Sequence, residues 1–297
     1  MARRPYFIEG MLLLATIAWG LSFIWVKQLT LSGMGTDLFI ALRFGAAAVL
    51  MSPFCIKALR SASRADLVNG CLIGVLMYLA MAAQTYGLMY TTPANSAFIT
   101  AAYVAFVPFT AWFMLGKRPT ARVYLTAGLC VVGLYILTVG GTGIDANLGN
   151  LITLGCAVAW SVQVSLVTKA ARKGSLLLLT WLPLVVMFII SLVMGTALGT
   201  LSFEGVDVRA AAWPLGLSVL FPTLLAGLAQ TYAQRYVEPN KAAVIYTLES
   251  VFACVISALM GMERLTPSLF IGGGLVVAAV LLGEIRFKKD VLKEETP

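Results

Sequence analysis

Two charged residues in this chain stand where charge is expensive. Of 13 acidic residues, all but Glu249 fall in loops, tails or the ends of apolar runs. Glu249 lies nine residues past Asn240, where such a run opens, which is about 13 Å along a helix rising 1.5 Å per residue. Arg43 lies seven residues past Thr36 in another run, about 10 Å in. An ionised carboxylate at such a depth in hydrocarbon costs roughly 3 kcal/mol or more, so it must be paired, protonated or in contact with water. Two roles stay open for Glu249: exchange of a proton or capture of a solute's ammonium group, and a structural ion pair with Arg43. Lys27, towards the end of the first run, is expected to extend to the interface.

The elements that hold these residues must be membrane helices. With 60% hydrophobic and 11% charged residues and a mean hydropathy of +0.92, the chain lacks the polar surface of a soluble domain. Its apolar runs are about 20 residues long, the length of a membrane-crossing helix, and backbone groups in lipid must bond internally. The net charge of +8 is dispersed through short loops rather than gathered into a patch, so no nucleic-acid partner is expected. Cys55, Cys71, Cys130, Cys156 and Cys254 lie in or beside apolar runs without CxxC spacing, and the chain has no histidine. Neither a metal-ligand set nor a disulfide framework can be drawn from them, and no cofactor is expected. An intramembrane protease would need paired membrane aspartates or histidine ligands, so no enzyme is expected either. The first run follows Arg3-Arg4 but has no small-residue cleavage site, and reads as a retained helix.

Apolar runs between charged or turn-rich breaks predict an all-α membrane protein of ten helices, at about 8–28, 36–57, 67–89, 93–115, 120–139, 148–170, 176–200, 212–234, 240–261 and 267–285. Of 21 lysines and arginines, Lys27 and Arg43 fall within runs and Arg209 and Arg264 on one side of the alternating loops; all the others fall on the opposite side. That asymmetry places both termini in the cytoplasm, at the inner membrane. A second regularity runs along the chain. Ala83-Gln84-Thr85-Tyr86, with Tyr90, Pro93 and Ala97, recurs as Ala229-Gln230-Thr231-Tyr232, with Tyr236, Pro239 and Ala243, at an offset of 146 residues. The register continues, so that Gly116-Lys117-Arg118-Pro119-Thr120 falls on Met262-Glu263-Arg264-Leu265-Thr266, and Gly128 on Gly274; Ala18-Trp19 matches Ala159-Trp160 at 141. Two copies of five spans each are expected, 1–142 and 143–297. Because five is odd, the copies lie inverted in the membrane, an architecture that offers two alternative openings onto one central site.

At these residues the chain resembles a known family. Val104 through Gly116-Lys117-Arg118-Pro119-Thr120 to Leu137, and Leu248-Glu249-Ser250-Val251-Phe252-Ala253 through Glu263-Arg264-Leu265-Thr266-Pro267 to Gly283, resemble the paired EamA domains of the drug/metabolite transporter superfamily. Ser250 and Met262 stand where that pattern usually has proline and glycine, which removes an expected helix distortion at 250. The resemblance implies a ten-helix carrier of small metabolites working by alternating access, with a cavity built from the first, third, fourth, sixth, eighth and ninth helices.

Polar and aromatic residues of those helices are then the candidate lining: Trp19, Ser22, Tyr78, Gln84, Thr85, Tyr103, Trp160, Gln163, Gln230, Thr231 and Tyr246. Glutamine inside a membrane helix needs a partner, either a neighbouring helix or a ligand. Trp19 and Trp160 fall near midspan, away from the interfacial belt that tryptophan prefers, and aromatic faces attract ammonium groups. Tyr86, Tyr90, Tyr232 and Tyr236 lie nearer helix ends and read as belt anchors. The Gly140-Gly141-Thr142-Gly143 stretch reads as a turn, and Gly195 with Gly199 as a packing face. The expectation is a secondary transporter of amino acids or related amphipathic or cationic solutes, with efflux as its direction, the substrate and the bilayer as partners, and a monomer sufficient, a homodimer staying open. A non-transporting scaffold has no feature arguing for it and stays open at this point. The twin hairpins after Tyr90 and Tyr236 are expected to close alternate ends of the cavity, one turn uncharged and the other bearing Arg235, Glu238 and Lys241.

Overall fold

A computed structural model describes residues 5–91, 93–139, 147–261 and 266–284, and all regular structure among them is helical. The elements are α1 (Pro5–Leu31), α2 (Thr36–Arg60), α3 (Arg64–Leu88), α4 (Pro93–Ala101), α5 (Tyr103–Leu115), α6 (Ala121–Thr138), α7 (Leu148–Ala171), α8 (Leu176–Leu198) and α9 (Val208–Ser218), a π-helical segment (Val219–Leu225), then α10 (Ala226–Ala233), α11 (Pro239–Tyr246), α12 (Leu248–Leu259) and α13 (Pro267–Glu284). They make up the ten expected spans, the fourth as α4 and α5, the eighth as α9, the π segment and α10, the ninth as α11 and α12. Nine are long and apolar enough to cross a membrane, and Pro267–Gly283 is a shorter apolar helix. The expected turn at Gly140–Gly143 and the segment Met262–Leu265 lie outside the described residues, as do Arg3, Arg4 and everything past Glu284.

Helix ends run past the apolar stretches where side chains can satisfy the first backbone N–H groups. Ser63 accepts from the Asp66 N–H and Asp66 accepts from the Ser63 N–H, so α3 starts at Arg64, earlier than hydropathy alone sets it. The same Asp66 carboxylate accepts from the Ser175 N–H at 2.8 Å, fastening the start of α8 to the start of α3. Asp207 caps α9 through the Ala210 N–H and moves the eighth span outward in the same way. Gly199, at φ 68°, ends α8, and Gly195 packs on Leu201, so that glycine pair serves a helix end.

Large apolar side chains point away from the bundle: Phe54, Phe113, Val193, Leu259 and Phe270 are exposed, Phe113 by 93%. Small residues such as Ala15, Ala47, Ala80, Ala157 and Ala279 share the interior with larger ones such as Leu12, Leu134 and Met187. Lipid is as apolar as leucine, so helices gain by close approach rather than by hiding bulk from a solvent.

The packing shows the two inverted five-helix repeats. Applying the repeat offsets pairs α1 with α7, α2 with α8, the third span with the eighth, the fourth with the ninth, and α6 with α13. Contacts then come in matched sets: α3 on α7 answers α10 on α1, α3 on α8 answers the π segment on α2, and α5 on α7 answers α12 on α1. Spans two and seven, and spans five and ten, pack on their own counterparts. Each copy is thus completed by the other, and the halves interlock.

The α6–α13 contact is among the closest of these seams. A Cβ added at Gly133 would lie 2.8 Å from the Gly272 carbonyl oxygen, and one at Gly272 would lie 2.6 Å from both the Gly133 oxygen and the Leu137 nitrogen. Backbone cannot yield as a flexible side chain does, so Gly133→Ala and Gly272→Ala are each expected to destabilise the purified protein by about 1–3 kcal/mol. Gly274→Ala, where nothing lies within 4 Å, is expected to leave the melting temperature unchanged or slightly raised. Thermal unfolding of the three variants in detergent checks this.

Candidate functional site

The eighth and ninth spans lose helical regularity midway, and the candidate site forms there. In the eighth, Pro222 has no N–H, so the Ser218 carbonyl four residues earlier loses its usual donor. The backbone answers with the π segment Val219–Leu225. The Thr223 hydroxyl donates to the Ser218 carbonyl at 2.8 Å, and the Trp19 indole N–H donates to the Pro222 carbonyl at 2.9 Å. The Thr223 oxygen in turn accepts from Arg43 Nε at 2.6 Å. One proline therefore fixes a tryptophan of the first span and the guanidinium of the second.

The ninth span is interrupted at Thr247, between α11 and α12. Thr247 donates its hydroxyl to the Val244 carbonyl at 2.6 Å, and the Ser250 N–H reaches back only three residues, to the Thr247 carbonyl at 3.3 Å. The distortion persists although Ser250 stands where proline was expected. Glu249 lies in the first turn of α12, at the positive end of that half-helix. Gly20 lets α1 approach beside it: a Cβ there would meet Phe252 Cβ at 3.0 Å and the Glu249 carbonyl oxygen at 3.2 Å. The fourth span breaks within one residue of the corresponding place, at Ala102, in the other repeat.

Between these interruptions lies a cavity of about 340 Å³. Of the expected residues, Trp19, Ser22, Gln84, Tyr103, Trp160, Gln163, Gln230, Thr231, Tyr246 and Glu249 line it, and so does Arg43. Tyr78 does not: one helical step past Met77, it turns towards α2 and α8 and packs on the cluster of Leu38, Phe39 and Met187. Thr85 is exposed and donates to the Met81 carbonyl. The second and seventh helices, absent from the expected set, also contribute, through Arg43 and Phe44 and through Leu179, Thr180, Pro183 and Leu184. Met77, Met81, Thr100 and Thr223 were likewise missed. The prolines inside the seventh and eighth spans are the signal that pointed there.

Arg43 and Glu249 face this one cavity; among the described residues no salt bridge within 4.0 Å joins them, although each feels the other's charge across it. Arg43 is held instead by Thr223 and by the rings of Phe39 and Phe44, each 5.5 Å from the guanidinium. The twin glutamines each face the residue 16 positions on: Gln84 Nε2 donates to Thr100 Oγ1 at 3.1 Å, and Gln230 stands beside the Tyr246 hydroxyl without a well-formed hydrogen bond. Tyr246 meets the edge of Trp19 at a centroid distance of 5.2 Å. Gln234, which the sequence did not single out, is buried and donates to the Val164 carbonyl at 3.0 Å and to Thr168 at 3.1 Å, binding the eighth span to the sixth.

The two ends of the bundle differ. At the end where α1 begins, Glu238 accepts from Arg172 at 2.9 Å and Lys117 at 3.4 Å, and Lys241 pairs with Glu9. At the other end the ties are neutral or charge to hydroxyl: the Asp207 N–H donates to the Ser32 carbonyl at 2.8 Å, and the Thr200 hydroxyl to Asp37 at 2.6 Å. Tyr86, Tyr90 and Tyr236 are exposed near the span ends, and the rings of Tyr232 and Tyr236 lie 5.5 Å apart.

Thr223 joins the broken backbone to the cavity's cation, so Thr223→Val removes a donor to one and an acceptor from the other. A loss of about 1–3 kcal/mol in stability is expected, with Thr223→Ser close to the parent. Thermal unfolding of the two variants side by side tests it, since valine keeps the shape and serine the hydroxyl.

The family model described as the EamA-like transporter family matches residues 7–139 and again 147–283. A protein of Archaeoglobus fulgidus described as an uncharacterized transporter is 31% identical over 288 residues, covering 96% of this chain and 87% of its own length. A second from the same organism, described in the same words, is 24% identical over 277 residues, covering 92% of this chain and 95% of its own. A solved crystal structure shares the fold with a TM-score of 0.78 at 15% identity, over 98% of this chain and 99% of that one. The chain is a multi-pass membrane protein that belongs to the EamA-like transporter family.

Proposed function

We propose that this chain is a secondary active or facilitative transporter that exports small metabolites, amino acids or related amphipathic or cationic solutes, across the cytoplasmic membrane by alternating access. The observation that carries the reading is the cavity itself. It lies where eight spans from both repeats meet, and it combines aromatic walls, amides and two charges that are not paired with each other. A ligand site near the meeting of inverted repeats, at interrupted helices, is the arrangement that lets rocking of one half against the other expose it to either side. The loops are short, so a gradient of solute or ion supplies the energy. The asymmetry of lysine and arginine supports termini on the cytoplasmic side, which makes the end where Glu238, Lys241 and Glu9 form ion pairs the cytoplasmic one.

Proteoliposomes loaded with labelled amino acids, amines and related metabolites test the reading; movement of no solute under any substrate or proton gradient would sink it. Glu249 is assigned the coupling proton or the solute's ammonium group. Glu249→Gln is expected to fold, because no ion pair is broken, and to abolish the response of transport to a pH gradient while solute exchange persists if the proton is its cargo. A rise in KM with the pH response intact assigns it to the ammonium group instead. Failure to fold, with rescue by neutralising Arg43 as well, would mark both residues as structural.

The ion pairs at the α1 end generate a further prediction. The Glu238 pairs are exposed and worth about 1 kcal/mol at most, and the Lys241–Glu9 pair is part-buried, so Glu9→Gln with Glu238→Gln is expected to raise the labelling rate of a cysteine placed at Thr180, in an otherwise cysteine-free chain, by a few-fold from the cytoplasmic side. Unchanged labelling would show that these pairs do not hold this end shut.

A further inference from the structure

A second cavity, of about 300 Å³, lies at the end of the bundle where α1 begins. The starts of α6 and α11 and the end of α13 enclose it, and it shares no lining residue with the central cavity. Its mouth, at the exposed Thr120, is polar and basic. Arg122 lines it while donating to the Leu282 carbonyl, and Lys241 lines it while pairing with Glu9. A guanidinium carries five N–H donors and an ammonium group three, more than one such contact uses. Past Gly283 the chain carries Glu284 and then Arg286, Lys288 and Lys289, so the neighbouring sequence is basic in sum. Neither Thr120 nor Glu238, the residues preceding α6 and α11, caps its helix through its side chain, and the positive ends of two helices add to the same field. Asn240 presents the opposite need: its Oδ1 is buried and has no hydrogen-bond partner among the described residues. Further in, the walls are apolar. Val244 and Ile245 are 6% and 4% exposed, and Val280 lines the same space. On the outer surface nearby, Leu125 and Leu281 are exposed, as lipid-facing side chains are.

We propose that this second cavity binds an anionic glycerophospholipid of the adjacent leaflet: the phosphate at Arg122 and the uncapped helix starts, a headgroup hydroxyl donating to Asn240, and the acyl-glycerol part along Val244, Ile245 and Val280. A bare phosphate answers the basic groups and leaves the Asn240 oxygen without a donor. A choline headgroup has no N–H or O–H to give and sets a second cation beside Arg122. A hydroxylated anionic headgroup answers both needs. The apolar inner wall selects a lipid over a soluble phosphate, because only the lipid gains by covering it. Basic pockets between membrane helices on the cytoplasmic side suit such headgroups, and the lysine and arginine asymmetry supports this end as the cytoplasmic one. The occupant joins the start of α11 to α6 and α13, and so braces the half-span whose other end carries Tyr246 into the central cavity. The assignment is independent of which solute that cavity carries.

Native mass spectrometry of the purified full-length chain in neutral detergent tests this, with phosphatidylglycerol, phosphatidylcholine and phosphatidylmethanol of the same acyl chains added in turn. Inorganic phosphate and glycerol 3-phosphate serve as the soluble probes. Phosphatidylglycerol is expected to bind at least about tenfold more tightly than phosphatidylcholine, and Arg122→Gln to remove that preference. Arg118→Gln takes away a charge at the same end, one that lies over Trp112 outside the cavity, and is expected to leave the preference intact. Asn240→Ala is expected to erase the preference for phosphatidylglycerol over phosphatidylmethanol, which is anionic and has no headgroup hydroxyl. Equal binding of phosphatidylglycerol and phosphatidylcholine, or an equal loss in the Arg118 and Arg122 variants, overturns the proposal. Binding of either soluble probe as tight as that of the lipid overturns it too, by making a soluble anion the occupant. Should Arg122→Gln fail to fold, the comparison among lipids on the parent chain and on Asn240→Ala decides.

Discussion

Pro222 removes one backbone donor at the middle of a membrane span, and the polar side of the cavity is arranged around the consequences. In water an orphaned carbonyl would find a solvent donor; in a bilayer each unsatisfied group costs several kcal/mol. The π segment, the Thr223 hydroxyl and the Trp19 indole together absorb the defect. Because Thr223 also accepts from Arg43, the repair orients a guanidinium that faces the cavity. Had Arg43 been neutralised by Glu249 directly, both groups would have been spent on structure. Fastening the arginine to a neutral hydroxyl and two rings leaves the charge in place and its fork unspent.

Inverted repetition supplies the frame, and its failures supply the chemistry. The offset of 146 residues that carries Gln84 to Gln230 also carries Thr100 to Tyr246 and Tyr103 to Glu249. All six line the cavity. The positions are therefore kept by symmetry while the side chains differ: a hydroxyl against a phenol, a phenol against a carboxylate. The first pair of each set makes a glutamine-to-hydroxyl contact in one repeat and places the phenol against Trp19 in the other. A cavity that is symmetric in shape is thereby polar along one direction, with its acid on the ninth span and its base on the second.

Much of this was legible in the residues, for reasons that differ by feature. The spans could be read because lipid imposes a fixed apolar length, and their ends moved only where a cap such as Ser63 with Asp66, or Asp207, let a helix begin early. Most of the lining could be read because polar and aromatic side chains are rare in such spans and stand out. Tyr78 misled because a tyrosine one step round a helix from the lining has the same type and depth; only packing against Leu38 and Met187 separates it. The second and seventh spans went unrecognised as walls because Phe44, Leu179 and Leu184 resemble any lipid-facing residue in sequence. Glu249 and Arg43 showed that they must be dealt with, whereas the hydrogen bond Arg43 makes is to Thr223, a residue 180 positions away that no local pattern links to it.

The ends of the bundle bear on how such a cavity could open in turn. A carrier needs two closed arrangements separated by only a few kcal/mol, because a solute can shift an equilibrium by no more than its differential affinity. At one end, the ion pairs of Glu238 are exposed enough to be worth about 1 kcal/mol each or less, and a single part-buried pair joins Glu9 to Lys241. At the other, the contacts of Asp207 with Ser32 and of Thr200 with Asp37 are hydrogen bonds of comparable net worth. Neither set dominates. The strong, unyielding contacts, such as the glycine seam of α6 and α13, lie between spans that pack on their own counterparts. Two weakly latched ends on a tightly seamed bundle leave the balance between openings to be set in the middle, where the unpaired charges meet whatever enters.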